Sequence, residues 1–432
     1  MIIDSSEPRP VGGEPPRIAL VSFGTVGDLR PFVLLAGALQ QRGHRVRLVV
    51  PRLHEAMARA SGLDWVAFGT PEQSMAVLDD PDLWHERRGF GVVWRGLLPS
   101  LDELHDRLED LLRTGPCVVL SHPFLAPIVA MVRERRPELR LVTAYLSPST
   151  LRTVHDPLTI GSLHVPRWVP TAWRRWLWSA IDRRFIDPDL LPGLNAARRV
   201  RALAPVAHFM PTMETVAQAS IGLFPPWFAH RQPDWPANFV EGDFPLPPID
   251  ADVPQLPEAL EAFLAAGDAP IAFTPGTGHK HAARYFANAL EALQALGRRG
   301  VFVTAFPEQL PRPLPPEVTH VAQAPFERLL PRVALLVHHG GIGTTAEALR
   351  AGVLQLILPF AFDQFDNGRR VQALGAGASR PAASASARRL RLLIERWLAA
   401  GRIARADGGE TDEQRFAHLL DRVEQALGLR RP

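Results

Sequence analysis

The sequence predicts an α/β protein made of two doubly wound, Rossmann-like parallel sheets that face each other across a cleft. Three observations point there. Apolar runs of strand length alternate with segments of helical spacing in both halves, a glycine turn follows the leading strand of each half, and a proline-dense stretch separates them. With 432 residues, 46% of them hydrophobic, the chain is long enough for two ordinary cores.

Residues 1–16 are polar and rich in Pro and Gly, and are expected to be a disordered tail. A first domain over 17–243 opens with the β-branched run Arg17–Phe23, then a glycine turn, then Phe32–Leu39 with helical spacing, then the strand Val46–Val50. Further strands, Cys117–Leu120 and Leu139–Ala144, alternate with helical segments. The stretch FPLPPIDADVPQLP, residues 244–257, is unlike any core element and reads as a linker. A second domain over 258–412 repeats the logic, with strand Ile271–Thr274, a helix over Ala283–Leu296, and strands Val301–Thr304, Val318–Ala322, Val333–Val337 and Leu354–Leu358. In the last segment, 413–432, Glu413–Leu427 has helical apolar spacing.

Composition excludes several classes. The net charge is only +3, Lys280 is the only lysine, and no dense Lys/Arg run with interleaved aromatics occurs, so nucleic acid is not implied. The one cysteine, Cys117, rules out an intrachain disulfide and a cysteine-based zinc site. No charged segment followed by an apolar leader opens the chain, and no apolar stretch reaches the length of a membrane span. A cytoplasmic location is expected.

The stretch from His338 to Gly368, HHGGIGTTAEALRAGVLQLILPFAFDQFDNG, carries the chemistry. Glycines 340, 341 and 343 let the backbone turn tightly after a strand, and Thr344 is expected to open a helix. The free N–H groups and positive dipole end of that helix suit a diphosphate. Glu347, one turn on, offers a carboxylate to both hydroxyls of a ribose. Past the next strand, Asp363, Gln364 and Asn367 offer the hydrogen-bonding groups a sugar ring needs. A diphosphate flanked by ribose and sugar is a sugar nucleotide.

The glycine turn, the downstream Glu347 and the DQxxN pattern together resemble the C-terminal signature of the nucleotide-sugar glycosyltransferases of family 1. That superfamily includes plant and mammalian glucosyl- and glucuronosyltransferases, antibiotic glycosyltransferases and sterol glucosyltransferases. The resemblance implies the GT-B fold, a nucleotide-sugar co-substrate with no other cofactor and no metal, and a last helix that crosses back onto the first domain. It assigns the diphosphate to His339, with His338 as runner-up, and to Gly341, Gly343 and Thr344. Gly276 and Thr277 match the family's second glycine turn. The loop with Gln323, Ala324 and Phe326 matches the one that receives the base, without the family's frequent tryptophan. Asp363 and Gln364 are assigned to the sugar.

On the opposite wall, GTVGDLRP at Gly24–Pro31 departs from the dinucleotide fingerprint, which disfavours a nicotinamide enzyme. Its continuation, LRPFVLLAGALQQRGHRVRLVVP, resembles the N-terminal motif of bacterial and sterol glycosyltransferases. There Asp28 stands where plant enzymes carry a catalytic histidine. Inverting sugar transfer needs a base for the acceptor hydroxyl, and Asp28 can supply it. It can equally cap a helix beginning near Arg30, and the two roles are compatible.

The acceptor is expected in the tryptophan-rich first domain, in a pocket containing Trp84, Phe90, Trp94, Trp173 and Trp176. The segment Trp168–Phe185, WVPTAWRRWLWSAIDRRF, reads as a basic amphipathic helix. Three readings stand for it: peripheral contact with the inner face of a membrane, cover for an apolar acceptor, or plain packing with a solvated arginine face. LWxxxxxFGVxW, LSPSTL, LFPPWFA, QPDWP and DQFDN add a narrower resemblance to the rhamnosyltransferase B chains of rhamnolipid synthesis. This implies dTDP-L-rhamnose as donor and a hydroxyalkanoyloxyalkanoate lipid as acceptor. UDP-glucose transfer to a sterol, carotenoid or polyketide is the alternative within the family. A sugar-nucleotide epimerase, or a non-catalytic activator acting on a partner chain, are the readings outside it.

Overall fold

The computed structural model describes residues 16–113, 115–156, 158–249, 253–401 and 409–429. The expected tail, apart from Pro16, lies outside them, as do residues 250–252 of the expected linker and the last three residues of the chain.

The first half forms β1 (Arg17–Val21), β2 (Val46–Pro51), β3 (Asp64–Phe68), β4 (Cys117–Ser121) and β5 (Arg140–Tyr145). An antiparallel pair follows, β6 (Leu158–Ile160) and β7 (Leu163–Val165), and then β8 (Ala219–Gly222) and β9 (Phe239–Glu241). Apart from that pair, the strands make one parallel sheet in the order β3-β2-β1-β4-β5-β8-β9. The second half forms β10 (Ile271–Thr274), β11 (Gly300–Val303), β12 (Val318–Val321), β13 (Leu335–His338), β14 (Gln355–Ile357) and β15 (Gly377–Ser379), parallel in the order β12-β11-β10-β13-β14-β15. The architecture is two Rossmann-like sheets clad in helices.

Alternation along the strands splits each core into two layers. Ala19, Val21, Val49, Val119 and Leu141 pack on one face of the first sheet, and Ile18, Leu20, Leu48, Val50, Leu120 and Val142 on the other. In the second sheet Phe273, Phe302, Leu335 and Val337 oppose Ala272, Val301, Val303 and Leu336. Strands apolar on both faces need helices on both faces, so the doubly wound form follows. Tyr145, Phe224, Phe228, Trp235 and Phe244 pack with Ala346, Leu349, Ile357 and Val371, so one apolar cluster joins the halves.

The last helix, Asp412–Leu427, is capped by Thr411 and ended by Gly428 in the left-handed conformation. It buries Leu419, Leu420, Val423, Ala426 and Leu427 in the core of the first half. Each fully buried side chain of this kind contributes roughly 1.5–3 kcal/mol. Glu424 adds bonds at 2.8 Å to both Arg42 and His44.

Some boundaries differ from the sequence reading. The first helix runs Val26–Gln41, a turn earlier than expected, with Pro31 inside it. The hydrogen bonds of Thr25 and Asp28 set the start upstream of Arg30. Likewise the helix after β13 begins at Ile342 with Gly341 as N-cap, so Thr344 is its third residue rather than its opener.

Candidate active site

In each sheet the strand order reverses direction, between β1 and β4 in the first and between β10 and β13 in the second. A crevice opens at the carboxyl ends of strands where the order reverses. The four segments leaving those strands therefore line the cleft: Ser22–Asp28 and His122 on one wall, Gly276–His279 and His339–Thr344 on the other.

On the first wall Asp28 sits in the opening turn of the Val26–Gln41 helix. Its Oδ2 accepts from the Thr25 N–H at 2.7 Å and the Thr25 hydroxyl at 3.0 Å. Both bonds fall on the same oxygen, so Asp28 caps the helix with Oδ1 uncommitted. His122, which follows β4, was missed by sequence reasoning. Its Nδ1 accepts from the Phe124 N–H at 3.3 Å. Burial lowers its proton affinity and the Asp28 charge partly restores it, which puts the two groups in one electrostatic neighbourhood.

On the second wall His339 is held between two glycine turns. A Cβ at Gly276 would lie 2.8 Å from its Nε2, and one at Gly341 would strike the same atom. Gly276 also has φ of +98°, a conformation glycine adopts without cost. Burial, aided by His338, holds the His339 imidazole down at about 3, so the ring is neutral. Its Nδ1 is buried with no partner among the described residues. Behind it the N–H groups of Ile342, Gly343 and Thr344 open the Ile342–Arg350 helix, positions that lack intrahelical acceptors. Thr277 is exposed at the rim.

His338 does not face the cleft. It is fully buried, its Nδ1 accepts from the Gly340 N–H at 3.2 Å, and its Nε2 pairs with Gln355 Oε1 at 2.9 Å. Its assignment to the diphosphate is therefore corrected, because both ring nitrogens are spent inside the fold. Side chains alternate along an extended segment, so adjacent histidines diverge.

Glu347 is 4% exposed and its Oε2 holds Arg350 at 2.6 Å. Burial pushes its carboxyl up to about 7 against the pull of Arg350. Arg350 also donates to Pro247 O at 2.7 Å and lies 3.8 Å from Glu327, which in turn takes Arg30 from the first wall at 2.5 Å. This ion network was invisible in sequence because its members come from three separate segments. Beside it, Gln323 is exposed and Ala324 and Phe326 are half-buried in the loop and short helix after β12.

The polar loop after β14 is mostly self-satisfied. Gln364 Oε1 accepts from the Phe360 and Ala361 N–H groups at 2.8 and 3.1 Å, leaving only its Nε2 for a sugar. Asn367 donates to Gly340 O and Asp363 Oδ2 and accepts from Ser147 of the first half, so it is a buried tie rather than a sugar ligand. Asp363 is pushed up to about 7 by burial, with the Asp28 charge adding to it. Phe362, just before it, holds φ at +54°, strained for a bulky side chain.

The aromatic residues separate into three places. Trp84 stacks on His279 across the cleft with ring centroids 5.1 Å apart, and both it and Phe90 meet Phe362 edge-on. The Trp84 and His279 ring N–H positions, Nε1 and Nε2, are buried without partners among the described residues. Burial takes His279 down to about 3, so it is a neutral cleft residue and not a source of charge; Lys280 pairs with Asp79 at 2.6 Å. Trp94 is fully buried against Phe124 and Phe209 in the core rather than at the cleft surface. Trp173 and Trp176 are 65% and 60% exposed, so their place in an acceptor pocket is corrected as well. Helical apolar spacing marks a face but not what covers it.

A family model described as the C-terminal domain of erythromycin biosynthesis protein CIII-like proteins matches residues 298–412. The O-mycaminosyltylonolide 6-deoxyallosyltransferase of Streptomyces fradiae is 29% identical over 383 residues, covering 84% of this chain and 85% of that protein. A sterol 3-beta-glucosyltransferase of Arabidopsis thaliana is 25% identical, covering 84% of this chain and 59% of the longer relative. Among solved structures, the spinosyn rhamnosyltransferase SpnG superposes with a TM-score of 0.60 at 20% identity, covering 95% of this chain and 96% of that one. Two Rossmann-like sheets facing across a glycine-turn cleft are the GT-B architecture. The sequence relatives and structural neighbours are glycosyltransferases, and the chain is similar to the family 1 superfamily of nucleotide-sugar glycosyltransferases.

Proposed function

We propose that the protein is an inverting, metal-independent hexosyltransferase that moves L-rhamnose from dTDP-L-rhamnose to a hydroxyl of an apolar, lipid-like acceptor such as a hydroxyalkanoyloxyalkanoate. The observation that carries the reading is the opposition of Asp28 and Asp363 across the cleft, close enough for one charge to raise the other's proton affinity. In this reading Asp28 takes the acceptor proton, the acceptor oxygen bonds the anomeric carbon, and the bond to the diphosphate breaks on the far side. The leaving charge falls to the N–H groups at Ile342–Thr344, an anion site that needs no metal. His339, a neutral ring, can donate one hydrogen bond there; Gly276, Gly341 and Gly343 leave room for the phosphates, and Thr277 adds a hydroxyl. Glu347 takes the ribose, Gln323, Ala324 and Phe326 the base, and Asp363 and the Gln364 amide N–H the sugar.

The 6-deoxyhexose is favoured by two names among the relatives, a 6-deoxyallosyl- and a rhamnosyltransferase. A sugar with a methyl group also suits a loop in which Phe360, Ala361 and Phe362 precede Asp363. The apolar acceptor is favoured by Trp84, Phe90 and Phe362 at the cleft. The sterol relative supports a second reading, UDP-glucose transfer to a sterol or polyketide.

Thermal-shift titration with dTDP, UDP, dTDP-L-rhamnose and UDP-glucose tests the donor, since a ligand bound only by the folded state raises Tm with its affinity. The proposal expects the largest rise with dTDP-L-rhamnose, and product formation from it with a hydroxyalkanoyloxyalkanoate. A rise confined to UDP and UDP-glucose overturns it in favour of the second reading.

A further inference from the structure

The helix Thr171–Ile181 is built inside out. Arg174 is 5% exposed, and its guanidinium donates to the carbonyls of Val169 at 2.9 Å, Arg167 at 3.0 Å and Asp156 at 3.4 Å. Trp173 and Trp176, on either side of it, are 65% and 60% exposed and touch each other edge-on at 6.3 Å. Trp168, in the segment that Arg174 ties to the helix, is 83% exposed. Long cationic side chains normally stay in water while indoles seek cover, so this arrangement reverses the usual order of burial. Only Trp178 turns inward, where it donates to Thr153 O at 3.2 Å.

Charge adds a second, independent observation. Arg175, Arg183 and Arg184 are exposed around the tryptophans, and Arg167, also exposed, pairs with Asp156 at 3.1 Å. The acidic residues between Trp168 and Asp187 are spent inside the fold: Asp182 is 5% exposed and paired with Arg152 at 2.7 Å, and Asp187 is 8% exposed and bonded to His208. The surface therefore offers indoles and guanidinium groups together, the combination that partitions to the headgroup level of an anionic bilayer.

We propose that the face formed by Trp168, Trp173 and Trp176 seats the protein on an anionic lipid surface. The segment that carries it also borders the cleft. Ser162 N–H bonds Glu86, between Trp84 and Phe90, at 2.8 Å, Arg369 reaches Thr159 at 2.9 Å, and Arg370 holds Asp156 at 2.7 Å. An acceptor dissolved in the bilayer would thus meet the cleft close to the membrane. The inference rests on residues outside the cleft and not on the identity of donor or acceptor.

The test is co-sedimentation of the full chain with substrate-free vesicles, of phosphatidylcholine alone or with phosphatidylglycerol, together with tryptophan emission. The wild type is expected to pellet with the phosphatidylglycerol vesicles, with a blue-shifted emission that fades at high salt. Trp173→Ser with Trp176→Ser should abolish the blue shift, and Arg175→Glu, Arg183→Glu and Arg184→Glu together should weaken binding by at least roughly tenfold. Tm should stay close to that of the wild type in both variants, because both change only exposed side chains. Three results overturn the proposal: no binding to anionic vesicles, equal binding by the variants, or concentration-dependent self-association that the double serine variant removes. The last would make the face a contact between protein chains.

Discussion

The turn after β1 spends its polar groups on itself, whereas the turn after β13 leaves them open. In the first, the Thr25 N–H and hydroxyl close onto Asp28 and His54 closes onto Gly24 O at 2.9 Å. In the second, the first N–H groups of the Ile342–Arg350 helix lie where a helix has no intrahelical acceptors, and the Nδ1 of His339 has no partner among the described residues. In the proposed reading the first turn holds a base rigidly, while the second keeps donors in reserve for an anion. The contrast teaches that one device, a glycine turn between strand and helix, serves two opposite ends depending on whether a side chain closes it.

Four experiments probe that contrast, taken from the largest expected effect to the smallest. Asp28→Asn keeps a group able to cap the helix but removes the base, so the transfer rate should fall by about 10²- to 10⁴-fold with donor affinity little changed. An unchanged rate would leave Asp28 as a cap alone. Next come the two histidines. His338→Leu strands the Gln355 amide and the Gly340 N–H, and should cost about 2–4 kcal/mol in denaturant unfolding. His339→Leu should spare stability and weaken nucleotide binding in a thermal-shift titration instead.

The third experiment is a pH series of Tm. Glu347 has its ordinary value of 4.5 raised to about 7 in the fold, so its contribution is full below about 4.5 and is lost as pH rises through 7. His338 runs the other way: lowered from 6.5 to about 4, it penalises the fold below about 6.5 as the unfolded chain gains a proton. Glu347→Gln should therefore flatten the loss of Tm between pH 5 and 7 relative to wild type, and a slope unchanged by it would assign the effect elsewhere. The smallest effect is a titration shift. In Asp28→Asn the midpoint of the Asp363 carboxyl, followed by carbon NMR, should move down; no movement would break the proposed pairing of the two walls.

Much of this was legible before any coordinates. Strands β1, β2, β4 and β5 of the first sheet and β10 to β14 of the second, the Ala283–Leu296 helix and the glycine turns at 276 and 340–343 follow from period and turn chemistry, which act over neighbouring residues, whereas β3, β8, β9 and β15 do not stand out in the sequence. The last helix was recognisable from its spacing in the same way. Less legible was which side chain faces where. His338 and His339 look interchangeable on paper, and Trp94, Trp173 and Trp176 were grouped as one pocket. Burial depends on partners distant in sequence, so Trp94 went into the core against Phe124 and Phe209 while the other two stayed in solvent.

By itself the sequence determined two Rossmann-like sheets, the motifs that leave their strands and the family that those motifs resemble, because each is written in short-range patterns of apolar spacing and glycine. Tertiary structure alone decided that His338 is spent on Gln355, that Gln364 and Asn367 hold the loop, that Arg30, Glu327, Arg350 and Glu347 form one chain of charge, and that a helix shows its tryptophans outward. The physical reason is that burial, orphaned donors and electrostatic coupling are properties of groups brought together by folding, and no local pattern encodes their separation in space.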